Sequence, residues 1–119
     1  LNRITIILPW PDSRLMPNRK NGRHWGVTQE VKVRARQEGY LAAKAAAKGF
    51  VIAGRVNVGI MLVSPDKRLR DIDNMVGCLK HYLDGIAKAL GTDDRHFRPL
   101  TIDERLDIEG KGFVIVEIG

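Results

Sequence analysis

The 119-residue chain predicts an α/β (α+β) fold, a small mixed β-sheet of about four strands with two main helices, folded as one domain over residues 1–119. Three observations predict it. Short β-branched runs stand at residues 3–8, 55–63 and 113–118. Two longer runs, 28–48 and 74–90, repeat their apolar residues at three- and four-residue steps. Turn-forming residues punctuate the joints, and no repeat or low-complexity linker interrupts them.

Residues 3–8 form the first strand, which Pro9-Trp10-Pro11 ends because proline cannot donate to a ladder. A long segment follows to Val27, carrying Arg14, Arg19, Lys20, Arg23 and His24 and then Trp25. Long loops in small domains tend to carry function, and a basic loop with an aromatic suits phosphate contact and base stacking. Thr28 is read as the N-cap of a helix that Gly49 stops, with Val31, Ala35, Ala42, Ala45 and Ala46 as its small apolar members. Its Lys32, Arg34, Arg36, Lys44 and Lys48 are a solvated face by default and a DNA-facing one by the sharper alternative.

Val56, Val58, Ile60 and Leu62 alternate along the second strand, which Ser64-Pro65-Asp66 ends. Met75, Leu79, Leu83, Ile86 and Leu90 make the apolar stripe of the second helix. Residues 100–108 and 113–118 are read as two strands joined by a hairpin turn at Glu109-Gly110-Lys111-Gly112.

Twenty Lys and Arg against fourteen Asp and Glu leave a net charge of +6, which favours a nucleic-acid partner. No apolar run reaches the roughly 18 residues a membrane span needs, and residue 1 is not followed by a secretory pattern, so the expectation is a soluble cytoplasmic protein without a membrane partner. The single Cys78 excludes an intramolecular disulfide and a cysteine-built zinc site. His24, His81 and His96 lack ligand spacing.

The chemistry concentrates at Arg70-Asp71-Ile72-Asp73-Asn74. Two carboxylates two residues apart repel unless a cation or proton lies between them, and a hard divalent cation accepts one or two carboxylates with water or phosphate oxygens for the rest. Asp73, Gly77, Lys80 and Asp84 recur on one helix face, so Lys80 lies two turns beyond the acids and in line with them. Asp93-Asp94 closes the segment. Each piece has a plainer explanation: Asp73 as an N-cap, Lys80 and Asp84 as an exposed ion pair, Asp93-Asp94 as a turn. Lys67, Arg68 and Arg70 can hold DNA backbone beside a metal or simply neutralise Asp71 and Asp73.

The ordered set from Arg70-Asp71-Ile72-Asp73-Asn74 through Lys80 and Asp84-Gly85 to Asp93-Asp94, with Leu8-Pro9-Trp10-Pro11 near the start, resembles the RusA family of phage-type Holliday junction resolvases. The resemblance implies a RusA-like domain and a magnesium-dependent homodimeric endonuclease that cuts four-way DNA junctions by paired nicks, in a bacterial host and of phage or prophage origin. It implies Mg²⁺, with Mn²⁺ as a substitute, and no small-molecule cofactor. It implies Asp71, Asp73 and Asp94 as metal ligands and Lys80 as the essential lysine. In that family the lysine also stands four residues after the second aspartate, a place that Gly77 holds here; Lys80 is one turn later on the same face. Two other functions remain open: a non-catalytic basic DNA-binding module, and a related nuclease acting on other branched DNA or on RNA.

Overall fold

The structure, a computed structural model, describes residues 3–16, 25–50 and 52–119, and residues 25–27 through their backbone alone. Its elements are β1 (Ile4–Pro9), α1 (Trp25–Ala47), β2 (Val56–Ser64), α2 (Ile72–Ala89), β3 (Phe97–Leu106) and β4 (Phe113–Ile118). The four strands make one mixed sheet in the order β1-β4-β2-β3, so the fold is a small α+β domain of two helices on a four-stranded sheet.

Ile4, Ile6 and Leu8 are buried while Thr5 and Ile7 are exposed, the period-two alternation of a half-buried strand. The buried set meets Val58, Ile60 and Leu62 of β2 and Val114, Val116 and Ile118 of β4 beneath the two helices. The apolar stripe of α2 lies where its periodicity put it, with Met75, Leu79, Leu83 and Ile86 all buried. Helix α1 differs from expectation at both its start and its buried face. It begins at Trp25, which places Thr28 inside the helix, and it buries Val31, Ala35, Gly39 and Ala43 while Ala45 is exposed. Gly39 sits at the centre of that four-residue stripe because α1 and α2 touch there: a Cβ on Gly39 would run into the Tyr82 carbonyl, and one on Gly85 into the Arg36 carbonyl.

The expected hairpin is not formed. β3 runs parallel to β2, and β4 pairs antiparallel with β2 on its other side, so the 107–112 turn carries the chain past the end of β2. Two strand spacings, about 10 Å, must be crossed, which a two-residue turn cannot do. The Asp107 carboxylate holds the crossing by accepting from the N–H groups of Glu109, Lys111 and Gly112, and these bonds, that of Gly112 foremost, draw its pKa below the ordinary value. Gly112, at φ 81°, lies against the Pro65 ring, and the Asp107 N–H donates to the Ser64 carbonyl at 2.7 Å. The turn signal in the sequence is thus local and correct, while the strand between its two arms is a long-range feature that no turn residue encodes.

Strands β2 and β3 with α2 between them form a parallel βαβ unit. Helix α2 therefore starts beyond the end of β2, and the turn that follows it returns to its polar face, where Asp94 meets Lys80. Among the described residues no helix is long and apolar enough to cross a membrane.

Candidate functional site

Asp71 is the N-cap residue of α2, with extended backbone at φ −68° and ψ 129°, and its side chain makes no capping bond. The helix starts instead through the Asp71 carbonyl, which accepts from the Met75 N–H at 3.1 Å. Asp73, in the first turn, accepts only from the neighbouring Asn74 N–H at 3.0 Å. Both carboxylates are exposed, and among the described residues neither has an ion pair. Among the described residues no cation stands against these two acids, in a chain of net charge +6.

Further along the same face the situation reverses. Lys80 donates from Nζ to Asp84 Oδ1 at 2.9 Å and to Asp94 Oδ2 at 2.8 Å. Asp94 begins a short 3-10 turn after α2, and Asp93 caps that turn by accepting from the Arg95 N–H at 3.0 Å. Of the two adjacent acids, Asp94 therefore faces α2. The bond to Asp94, then that to Asp84, hold the lysine pKa above its ordinary value, so Lys80 is an ammonium with two of its three N–H groups engaged.

The three aspartates do not meet at one point. Among the described residues no group of three or more His, Cys, Asp or Glu side chains is placed to hold a metal ion. Helix rise explains it: Asp73 and Lys80 are separated by about 10 Å along the axis, and Asp94 is tied at the level of Lys80. What remains for a cation is the pair Asp71 and Asp73. Two exposed oxygen-only carboxylates fit a hard divalent ion that fills its other positions with water or phosphate oxygens.

The basic residues divide into three kinds. Lys67 is exposed and without an ion pair among the described residues. Arg14 and Arg68 are each held by a nearby acid, Arg14 by Asp12 at 2.7 Å and Arg68 by Asp66 at 3.3 Å, both close to solvent. Arg70 is turned inward. Its side chain is only 10% exposed, donates to Asp66 Oδ1 at 2.8 Å, and stacks on the Trp10 ring with 5.1 Å from Cζ to the centroid. Arg19, Lys20 and Arg23 lie outside the described residues, as do His24 and the side chain of Trp25. A groove of about 360 Å³ between Trp10, Ser13, Met16, Pro65 and Leu69 joins the stretch after β1 to the loop before α2.

Sequence reasoning missed the roles of Asp84, Trp10 and Glu104. Asp84 was legible as an i,i+4 partner of Lys80, but not as half of a two-carboxylate cradle. Trp10 and Glu104 are reached only through tertiary contacts. Cys78 is buried, and its burial pushes the thiol pKa to about 11, which fits a structural thiol.

No family model matches the chain. An uncharacterized protein of Xylella fastidiosa strain Temecula1 is 36% identical to it over 121 aligned residues, which cover 96% of this chain and 74% of that protein. Similarity of that extent is not confined to the acidic segment but runs through the sheet and both helices, and the chain belongs to the same family as that Xylella protein.

Proposed function

We propose that the chain is a Mg²⁺-dependent endodeoxyribonuclease that resolves four-way DNA junctions by paired nicks, a RusA-type resolvase working as a homodimer on branched DNA in recombination and repair. The observation that carries the proposal is the arrangement along α2: two exposed acids at its start with no cation against them among the described residues, and on the same face an ammonium held between Asp84 and Asp94. A phosphodiester laid along this face meets the acids first and Lys80 two turns later, with Gly77 leaving the backbone low between them.

Asp71 and Asp73 hold the divalent cation, Mg²⁺ or in its place Mn²⁺. Bound there, such an ion supplies a water of lowered pKa and positive charge beside the scissile phosphate. Lys80 keeps its proton because two carboxylates accept from it, so its role is that of a cation and not of a base. Its third N–H can donate to a phosphate oxygen as charge develops on the leaving side. Asp94 then acts chiefly by fixing the ammonium, a different part from the ligand role that the family resemblance implies.

Apart from the inward-turned Arg70, Lys67 and Arg68 are the described cations nearest the acids in the chain, and with Arg14 they suit contact with DNA backbone. Two symmetric nicks need two centres, and a two-fold dimer supplies the second. Sedimentation at micromolar concentration is expected to give a dimer.

A non-catalytic DNA-binding module is the competing possibility, and the separation of Asp94 from the other two acids favours it. Against it stands Asp71, an exposed N-cap acid whose side chain makes no capping bond and is left to the helix dipole alone as a structural task. A panel of four-way, flap, linear and RNA substrates with and without Mg²⁺ separates the possibilities. The resolvase nicks four-way junctions in opposed strands only when Mg²⁺ is present, and the binding module shifts junctions without cutting any of them. Preferential cleavage of flaps or RNA would reassign the substrate.

A further inference from the structure

We propose that Arg70 is a positioning residue, which locks the loop between β2 and α2 so that Asp71 and Asp73 keep a fixed spacing, and that it is not a phosphate contact. The proposal rests on the endonuclease function above. Five groups from three parts of the chain converge on this one side chain, among them the Asp66 carbonyl, which accepts from its NH1 group at 3.5 Å. Asp66 Oδ1 accepts from its NH2 group at 2.8 Å, and the Arg68 carbonyl from its NH1 group at 3.1 Å. Glu104 Oε2 of β3 stands 4.0 Å from the NH1 group. The Trp10 ring covers the guanidinium at 5.1 Å. Glu104 is itself anchored, since the buried Ser64 hydroxyl donates to its Oε2.

A guanidinium satisfied in this way must break several bonds to reach a phosphate, and would leave Asp66 and Glu104 without their shared cation. The carboxylates that follow it have the opposite need. Among the described residues no other side chain holds Asp71 or Asp73, so the backbone of residues 70–73 sets their relative placement. Whatever fixes that backbone fixes the cation site. Arg70 is the one described side chain adjoining Asp71 that is anchored to the sheet, and Trp10 is the surface on which it rests.

The test compares Arg70→Lys, Trp10→Leu and the double variant with the unaltered chain. Junction binding, measured by anisotropy in EDTA over a range of salt, is expected to stay within about 3-fold with the same salt slope. Single-turnover cleavage is expected to fall about 10- to 100-fold in each single variant, with the Mg²⁺ concentration for half-maximal rate raised. The double variant falls no further than the worse single one, because both changes break the same contact. Amide hydrogen exchange of residues 70–74 speeds up in both single variants while that of α1 does not change, a readout that needs no cleavage. If either variant proves too unstable to measure, Glu104→Gln replaces it, with a smaller change in the same direction expected.

Weaker binding and a salt slope reduced by about one in Arg70→Lys, with Trp10→Leu unaffected, would overturn the proposal and make Arg70 a phosphate contact. Unchanged exchange at 70–74 would overturn it as well. A parent chain that never nicks any substrate removes the endonuclease function and with it any part for Arg70 in cleavage; the exchange result then decides only whether Arg70 holds the loop.

Discussion

At the start of α2 the carboxylates of Asp71 and Asp73 stand exposed with no cation against them among the described residues, whereas two turns further on Lys80 is shared between Asp84 and Asp94. Among the described residues, the same helix face thus carries one acidic group that is neutralised from within the chain and one that is not. Surface ion pairs contribute little to stability, so neither arrangement is explained by folding energy. The difference is informative about ligands. Acids already paired offer little to an incoming cation, and acids left unpaired in a basic chain form a place where one can bind.

Converting the unpaired acids to amides is the strongest way to break this contrast. Asp73→Asn is expected to lower Mg²⁺-dependent nicking at least about 100-fold while junction binding in EDTA persists, and Asp71→Asn to do the same. Gel-shift and cleavage assays on one junction read both effects. If the two acids served only the helix dipole, the change would cost less than about 1 kcal/mol of stability and cleavage would not respond. Next in size is Lys80→Met, expected to slow single-turnover cleavage by about 100-fold. With its side chain 56% exposed, the melting free energy should move by no more than about 1 kcal/mol. The raised pKa of Lys80 adds a pH statement: the lysine stays charged through its ordinary titration range, so cleavage followed through about pH 10.5, where an ordinary lysine is half deprotonated, should show no loss traceable to it.

The contrast was half legible in the sequence. The spacing of Asp73, Gly77, Lys80 and Asp84 is a helix property, and local periodicity places them on one face whatever the tertiary fold. The bond from Lys80 to Asp94 spans fourteen positions and depends on how the chain leaves α2, so no local spacing states it. The expected convergence of Asp94 on Asp71 and Asp73 is not, because it required a distance along the helix axis that residue identity does not state. The sheet divides similarly. Alternation along β2 states which residues face the core, but strand order was hidden, and a turn that looks like a hairpin proved to skip over β2. Arg70 shows a further limit: its neighbours in sequence are charged and suggest solvent, while Trp10, sixty positions earlier, decides its environment.

Fold and site can be separated by touching α2 on its other side. Gly85→Ala puts a Cβ into the Arg36 carbonyl of α1, so the helices must move apart, and the expected cost is about 1–3 kcal/mol by chemical denaturation. Because that contact lies on the buried side, the half-maximal Mg²⁺ concentration should stay as it is wherever the variant is folded. A shift in it would mean that the spacing of Asp71 and Asp73 depends on helix packing as well as on the loop before them.

The smallest expected effect concerns His81, one position beyond Lys80 but half-buried beside α1. Its Nδ1 is buried with no hydrogen-bond partner among the described residues. Burial first, then the positive charges of Arg36 and Lys32, lower its pKa, which Asp84 only partly opposes. The neutral ring is therefore the folded form. Below the unfolded histidine pKa of about 6.5 the unfolded chain takes up a proton that the folded chain refuses, so this contribution to stability is present at neutral pH and is lost as pH falls toward the lowered value. Thermal melts between pH 7.5 and 5.5 should show a steeper decline for the parent chain than for His81→Leu. Parallel declines would mean that the ring is protonated in place, and that the acids around Lys80 compensate a second cation as well as the first.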